Sequence, residues 1–77
     1  MPRQHDGTNL TGRNLIKLRL NAGKSRELFV KLCEENGLRI KESEIEGIEE
    51  NKRMVYDYEL VVFAKVLGVS IDDLFAA

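Results

Sequence analysis

The spacing of apolar residues is the feature that most limits how this chain can fold. Apolar side chains recur every three or four residues along the 77-residue sequence, and no stretch alternates with a period of two long enough to make a β-sheet. We therefore expect an all-α fold in one domain. Its core is expected to be small, because a chain of this size buries only about 60% of its unfolded surface.

The pattern predicts five helices. Four of them are expected at about residues 11–22, 25–35, 41–50 and 58–68, and a short fifth helix begins at Ser70. Ser25 is placed to cap the second helix, and Ser70 with Asp73 forms a predicted capping box. Glycines at positions 23, 37 and 68 are the predicted stops. The result is a compact five-helix bundle.

Each helix has a predicted inward face. The residues expected to point inward are Leu15, Leu18 and Ala22 in the first helix, Leu28, Phe29, Leu32 and Cys33 in the second, and Ile45 and Ile48 in the third. Ile16 and Leu20 are expected beside the first stripe, and Arg13, Lys17 and Arg19 on the opposite face. The fourth helix is apolar around much of its circumference, which predicts a central buried helix.

The two ends of the chain differ in character. Residues 1–9, "MPRQHDGTN", are polar and are expected to form a disordered leader, whereas residues 10–77 are expected to form the domain. The longest apolar run, at residues 60–64, is far shorter than the roughly 20 residues that span a bilayer. No signal-peptide pattern opens the chain. We expect a cytoplasmic protein with no membrane partner.

Composition argues against enzyme and metal chemistry. The sequence has one cysteine, Cys33, and one histidine, His5, so neither an internal disulfide nor a set of metal ligands is expected. Cys33 lies four residues after Phe29 on a predicted apolar face, which favours a buried side chain over a reactive thiol. His5 lies in the leader and is a poor candidate for a catalytic base. No catalytic residue and no cofactor are predicted.

Charge is unevenly distributed although the net charge is only −1. Residues 1–31 have seven Lys or Arg against two Asp or Glu, residues 32–50 have two against seven, and the remainder has three against four. A basic first part could approach phosphate groups. The whole chain nevertheless lacks the strongly basic character, with a pI above about 9, that marks many nucleic-acid-binding domains.

Two segments carry a family resemblance: "IEGIEENKR" at residues 45–53, and "DYELVVFAKVLGVSIDDLF" at residues 57–75. With the two helices before them, they resemble the lambda-repressor-like, Cro-repressor-type helix-turn-helix family, also called the XRE family. The resemblance extends over about residues 12–75 and implies a five-helix fold. It also implies a transcriptional regulator, a small repressor of bacterial or phage type, whose third helix enters the major groove of double-stranded operator DNA.

The resemblance implies roles for particular residues. Those implied to contact DNA are Ser25 and Arg26 at the start of the second helix, Lys41, Glu42, Ser43, Glu46 and Gly47 facing base edges, and Asn51 with Lys52 in the loop that holds phosphate. Arg19 and Glu49 match a pair that joins the first helix to the third. Glu49 is then structural.

A homodimer is also expected. Members of the family mostly bind operators as homodimers, and one 77-residue domain offers a small recognition surface. The apolar ending "LFAA", residues 74–77, would be partly bare in a monomer.

The third predicted helix is unusually acidic for a helix that approaches DNA. It contains five glutamates, of which Glu46 and Glu50 are expected to point most directly outward, given about 100° per residue. A carboxylate can accept a hydrogen bond from cytosine N4, so Glu42 or Glu46 could read sequence. Alternatively, the glutamates form a solvated face, or they dock on a basic protein partner as in an antitoxin-like or anti-regulator module.

Overall fold

The computed structural model describes residues 10–75, which form four α-helices and one short 3₁₀ helix. They are α1 (Leu10–Asn21), α2 (Arg26–Glu35), α3 (Glu42–Glu49), α4 (Asp57–Leu67) and the 3₁₀ helix (Ile71–Leu74), with no β-strand in this range. The all-α prediction is confirmed for the described residues. The expected fifth helix is the 3₁₀ helix, so the count of five α-helices is not confirmed. The predicted leader lies outside the described residues.

Several helix ends form as their residues predict. The Ser25 hydroxyl accepts a hydrogen bond of 3.1 Å from the backbone N–H of Leu28 in the first turn of α2. Gly68 ends α4 with a positive φ of 70°, a conformation that glycine adopts without strain. Ser70 and Asp73 exchange hydrogen bonds of 3.0 and 3.3 Å across the start of the 3₁₀ helix.

The core draws on every helix of the described chain. Its fully buried side chains include Leu15 of α1, Ile45 and Ile48 of α3, and Leu74 of the 3₁₀ helix. The rings of Phe29 in α2 and Phe63 in α4 lie 5.4 Å apart in a tilted arrangement. The two isoleucines thus anchor α3 in the core, and the opposite side of α3 faces solvent.

Helix α1 has the predicted orientation at Leu15 and Lys17 but differs from the prediction near its C-terminal end. Arg19, expected on the exposed face, is buried, whereas Leu20 and Ala22 are exposed. Arg19 lies four residues after Leu15 and therefore shares its inward face, where it forms an ion pair with Glu49 of α3, whereas the next residue points outward. In α2, Leu28 is also exposed, because Phe29 and Cys33 define its buried face.

Helix α4 is buried on one side only. Its inner face holds Glu59, Leu60, Phe63 and Ala64, all buried. Val61, on the outer face, is 48% exposed, so the prediction of a central buried helix is wrong. An apolar circumference therefore did not mean burial all round. None of the described helices is long and apolar enough to span a lipid bilayer.

The helices divide into two packing groups. Helix α3 packs mainly against α1 and α2, whereas α4 packs mainly against α2 and the 3₁₀ helix. The 3₁₀ helix also contacts α1, where the Asn14 side-chain amide donates a 3.0 Å hydrogen bond to the Leu74 carbonyl. This buried bond ties the C-terminal end of the described chain to the first helix.

Candidate nucleic-acid interface

The connection between α2 and α3 is short and anchored in the core. Leu38 and Ile40 are both buried, and the backbone N–H of Leu38 donates to the Cys33 carbonyl at 2.9 Å. At the start of α3, the Lys41 N–H donates to the Glu44 carboxylate at 2.9 Å. Because both ends of the connection are fixed, α2 and α3 have a defined relative orientation. Two helices joined in this way form a helix-turn-helix unit.

The outward side of α3 is polar and mostly acidic. Ile45 and Ile48 face the core, and the exposed positions at or beside the helix are Lys41, Glu42, Ser43, Glu46 and Glu50. Gly47 is half-buried. The structure therefore brings the sequence-predicted base-facing residues to one surface.

One carboxylate joins three helices. Glu49 of α3 accepts hydrogen bonds from Arg19 of α1, at 2.8 Å from Nε and 3.3 Å from Nη2, and from Arg26 of α2, at 3.0 Å from Nε. We call Arg19, Arg26 and Glu49 the Glu49 clamp. The Glu49 side chain is fully buried. Its charge is acceptable there because two guanidinium groups bind it.

The clamp also fixes the turn between α1 and α2. Arg19 Nη1 donates a 2.8 Å hydrogen bond to the Lys24 carbonyl, in the turn that follows Gly23. The clamp therefore positions α3 and the start of α2 as one unit. The structure brings Arg19 and Glu49 together, and it adds Arg26, which the sequence reasoning had assigned to phosphate alone.

Arg26 lies at the boundary between the clamp and the surface. Its side chain is 39% exposed although Nε is bonded to Glu49. The hydrogen bond to Glu49 raises the pKa of Arg26, and the nearby charges of Glu46 and Glu50 act in the same direction. The guanidinium thus partly offsets the acidic surface beside it.

The segment after α3 is held close to the helix. Asn51 has a left-handed backbone with a φ of 63°, an unusual conformation for which asparagine is among the better suited residues. The N–H of Lys52 donates to the Gly47 carbonyl at 2.7 Å, and the Lys52 ammonium lies 3.3 Å from the Glu50 carboxylate. Asn51 and Lys52 are both exposed. Ser25, at the start of α2, is exposed too, but its hydroxyl already caps the helix.

A second buried carboxylate braces the loop between α3 and α4. Arg53 donates to both oxygens of Glu59, at 3.0 and 2.7 Å, and to the Met54 carbonyl at 2.8 Å. Glu59 also accepts from the Tyr56 N–H at 2.9 Å. We call Arg53, Glu59 and the Tyr56 N–H the Glu59 brace. The hydrogen bond to Glu59 raises the pKa of Arg53.

The Glu59 brace was missed in the sequence reasoning. The sequence contains one signal for part of it. Glu59 lies three residues after Tyr56, the N-cap residue of α4, which is the spacing of a capping-box carboxylate. Its arginine partner has no such signal. Arg53 also lies 3.7 Å from Glu44, so the brace connects the loop to the first turn of α3.

The described residues also bear on metal binding and on thiol chemistry. No group of three His, Cys, Asp or Glu side chains in residues 10–75 could hold a metal ion. Cys33 is fully buried, as predicted. Burial, with the Glu59 charge nearby, raises the pKa of the Cys33 thiol to about 12, so it remains a protonated thiol at neutral pH.

Comparisons with known proteins agree with this geometry. No protein-family model matches the chain, and no curated protein sequence does. Among solved structures, the chain is similar to the restriction-modification controller protein C.AhdI from Aeromonas hydrophila, with 29% identity and a TM-score of 0.74. The match covers 86% of this chain and 92% of C.AhdI. This likeness confirms the predicted resemblance and supports a repressor-like helix-turn-helix domain in this chain.

Proposed function

We propose that the protein is a sequence-specific, DNA-binding transcriptional regulator, a small cytoplasmic repressor of bacterial or phage type without enzymatic activity. Helix α3 enters the major groove of a double-stranded operator, and the protein acts as a homodimer. The observation that carries the proposal is the exposed side of α3, held in a fixed orientation by the Glu49 clamp. Likeness to a controller protein supports the same class of function.

The residues proposed to contact DNA divide into two groups. Those assigned to phosphate are Ser25, Arg26, Asn51 and Lys52, at the start of α2 and in the loop after α3. Those assigned to base edges are Lys41, Glu42, Ser43, Glu46 and Gly47. Glu49 stays out of the contact, because its carboxylate is occupied by two arginines.

The exposed glutamates of α3 affect both the affinity for DNA and the discrimination between sequences. Each exposed carboxylate beside a phosphate costs on the order of 0.5 to 1 kcal/mol after screening. A cytosine that donates its N4 hydrogen to Glu42 or Glu46 offsets that cost, whereas guanine and thymine present no hydrogen-bond donor in the major groove and do not. The helix therefore lowers general affinity and increases discrimination between sequences.

A second function has one observation in its favour. Glu42, Glu46 and Glu50 are all exposed at successive four-residue intervals, and α3 itself contains no basic residue. Such a surface also fits a basic protein partner, as in an antitoxin-like or anti-regulator module. The two functions differ in their response to removal of these charges.

Titration against random and selected duplexes separates the two functions. A pool of genomic fragments is selected for binding, and affinities for the selected site and for random duplex are measured between about 50 and 200 mM salt. Lys52→Ala should weaken binding to all sequences and reduce the salt slope by about one per lost contact in each half-site. Lys17→Ala, an exposed lysine of α1 outside the proposed site, is the matched control.

Removal of the glutamate charges should change DNA affinity in the opposite direction from Lys52→Ala. Glu46→Gln and Glu50→Gln should raise affinity for random DNA and narrow its difference from the selected site, because they relieve phosphate repulsion without adding base recognition. If neither variant nor the wild type binds duplex at low salt, the DNA-binding proposal fails. Weaker capture of a basic protein by the same variants would then favour the second function.

A further inference from the structure

The outer side of α4 is an apolar and aromatic surface at helical spacing. Tyr58 is 62% exposed and Val61 48% exposed, and Lys65 continues the same stripe one turn later. Tyr56, just before the helix, is exposed beside Tyr58. We call Tyr56, Tyr58, Val61 and Lys65 the α4 face. Single exposed apolar residues are ordinary, but a contiguous group of them marks an interaction surface.

Part of the α4 face is already ordered. The rings of Tyr56 and Tyr58 stack with centroids 5.7 Å apart and planes within 4° of parallel, and the Arg53 guanidinium lies 5.9 Å from the centroid of the Tyr56 ring. Arg53 is itself fixed by the Glu59 brace. Tyrosines held in one conformation lose little entropy on binding, which is why such residues contribute strongly to protein interfaces.

The chain's apolar ending does not provide this kind of surface. Leu74 is fully buried, and Phe75 is half-buried against the core. The expectation that this ending is partly bare in a monomer is therefore wrong for Leu74. The described part of the ending thus offers less exposed apolar surface than the α4 face does.

We propose that the α4 face binds the α4 face of a second copy of this chain, with the two helices antiparallel about a two-fold axis at Val61. A two-fold interface must be self-complementary. Asp57 lies four residues before Val61 and Lys65 four residues after it, so this arrangement puts Lys65 of each copy beside the partner's Asp57. The apolar centre is then bordered by two opposite-charge pairs.

This dimer is compatible with use of α3. Helix α3 packs mainly on α1 and α2, whereas the α4 face lies on a different helix that packs on α2 and the 3₁₀ helix. The inference rests on the proposed function, since it names the surface that joins two DNA-binding units. Its test is made without DNA, so that its failure is separate from failure of DNA binding.

A charge at the centre of the face is the first test. Val61→Glu puts two carboxylates at the two-fold axis and should raise the dimer dissociation constant about 100-fold or more, at about tenfold for each desolvated charge. Sedimentation velocity over a concentration series measures the change. Leu20→Glu, at an exposed leucine of α1, should leave the dimer unchanged. Circular dichroism of both variants checks that the helices are intact.

A charge exchange tests the antiparallel register. Asp57→Lys and Lys65→Asp should each be monomeric alone, because each gives like charges at both borders. Mixing the two variants should restore dimerisation as a heterodimer. At each border, a lysine of the Asp57→Lys copy then faces an aspartate of the Lys65→Asp copy. Restoration also demonstrates that both variants are folded.

The outcomes are distinct. A wild type that is monomeric at high micromolar concentration overturns the proposal, and so does dissociation by Leu20→Glu but not by Val61→Glu. Failure of the mixture to form heterodimers overturns the register. Binding of random duplex at low salt by monomeric Val61→Glu would show that the DNA-binding proposal survives independently, whereas a dimeric wild type that binds no DNA supports the interface alone.

Discussion

Two glutamates with nearly the same burial belong to different kinds of structure. Glu49 and Glu59 both have side chains removed from solvent, and both accept hydrogen bonds from arginine. The arginine partners of Glu49 come from α1 and α2, 30 and 23 residues earlier in the chain. Arg53, the partner of Glu59, lies only six residues away, and the backbone N–H of Tyr56 only three.

The difference separates two tasks in the candidate interface. The Glu49 clamp joins three helices and therefore sets the orientation of α3 relative to α1 and α2. The Glu59 brace acts within one loop and the start of α4, so it sets the path of residues 51–56. Loss of the clamp should affect the whole fold, whereas loss of the brace should affect mainly the loop.

Glu49→Ala should give the largest loss of stability. Arg19 would remain buried without a counter-charge, and breaking a buried pair in this way costs about 3–5 kcal/mol. Urea unfolding followed by circular dichroism measures the change. Arg26→Ala is the matched control, because its side chain is 39% exposed and a pair of that kind contributes less than about 1 kcal/mol.

A double-mutant cycle sharpens the result. The coupling energy between Arg19 and Glu49 should exceed that between Arg26 and Glu49, since only Arg19 is fully enclosed. A coupling below about 0.3 kcal/mol for Arg19 and Glu49 would contradict the role of the clamp.

Glu59→Ala should cost less than Glu49→Ala. The substitution removes hydrogen bonds from Arg53 and Tyr56, and bonds to charged groups contribute about 1.5–3 kcal/mol. Arg53 is partly exposed, so its guanidinium can turn to water instead of remaining buried. Amide hydrogen exchange should show the loss concentrated in residues 51–60. Equal loss of protection in α1 would argue against a local brace.

The buried Cys33 thiol, near Glu59, predicts a loss of stability at high pH. Its pKa is raised from 9.0 to about 12 by burial and by Glu59, so the folded state keeps the thiol protonated while the unfolded state ionises. Stability from this group is therefore complete below about pH 9 and is lost as pH rises towards 12. The loss should reach about 1.4 kcal/mol at pH 10.

Urea unfolding at pH 7.5 and pH 10 measures that loss. Cys33→Ala is the control: it lowers stability at both pH values by leaving a cavity, but its decrease between them should be smaller by the contribution of the thiol. The same decrease in both proteins would mean that other groups account for it.

Local signals in the sequence predicted more of the fold than of the candidate site. The caps at Ser25 and Ser70 and the stop at Gly68 depend on neighbouring residues, and each formed as expected. The buried ion pair of Arg19 and the clamp contact of Arg26 depend on partners in distant helices. Helical spacing places Arg19 one turn after Leu15, but nothing local in the sequence shows that a buried carboxylate lies opposite it.

Prediction of the α4 surface failed for a related reason. Hydropathy indicates that a side chain can be buried, but burial also needs a neighbouring element to cover it, and Tyr58 and Val61 remain 62% and 48% exposed. In contrast, Ile45 and Ile48 have α1 and α2 on their side of α3 and are fully buried. Apolar side chains therefore lie in the core in α3 but partly on the surface in α4.

Gly47→Ala probes the place where the clamp and the brace meet, and it should have the smallest effect. Alanine favours a helix over glycine by about 0.5–1 kcal/mol. A Cβ at this position would lie 3.4 Å from the Cβ of Arg53, an ordinary contact. The expected result is a gain of about 0.5 kcal/mol, or about 2–4 °C in Tm. A loss instead would mean that the Glu59 brace holds Arg53 too rigidly for α3 to accept one methyl group, so that the two regions are coupled; Gly47→Ala in a Glu59→Ala background should then recover the gain.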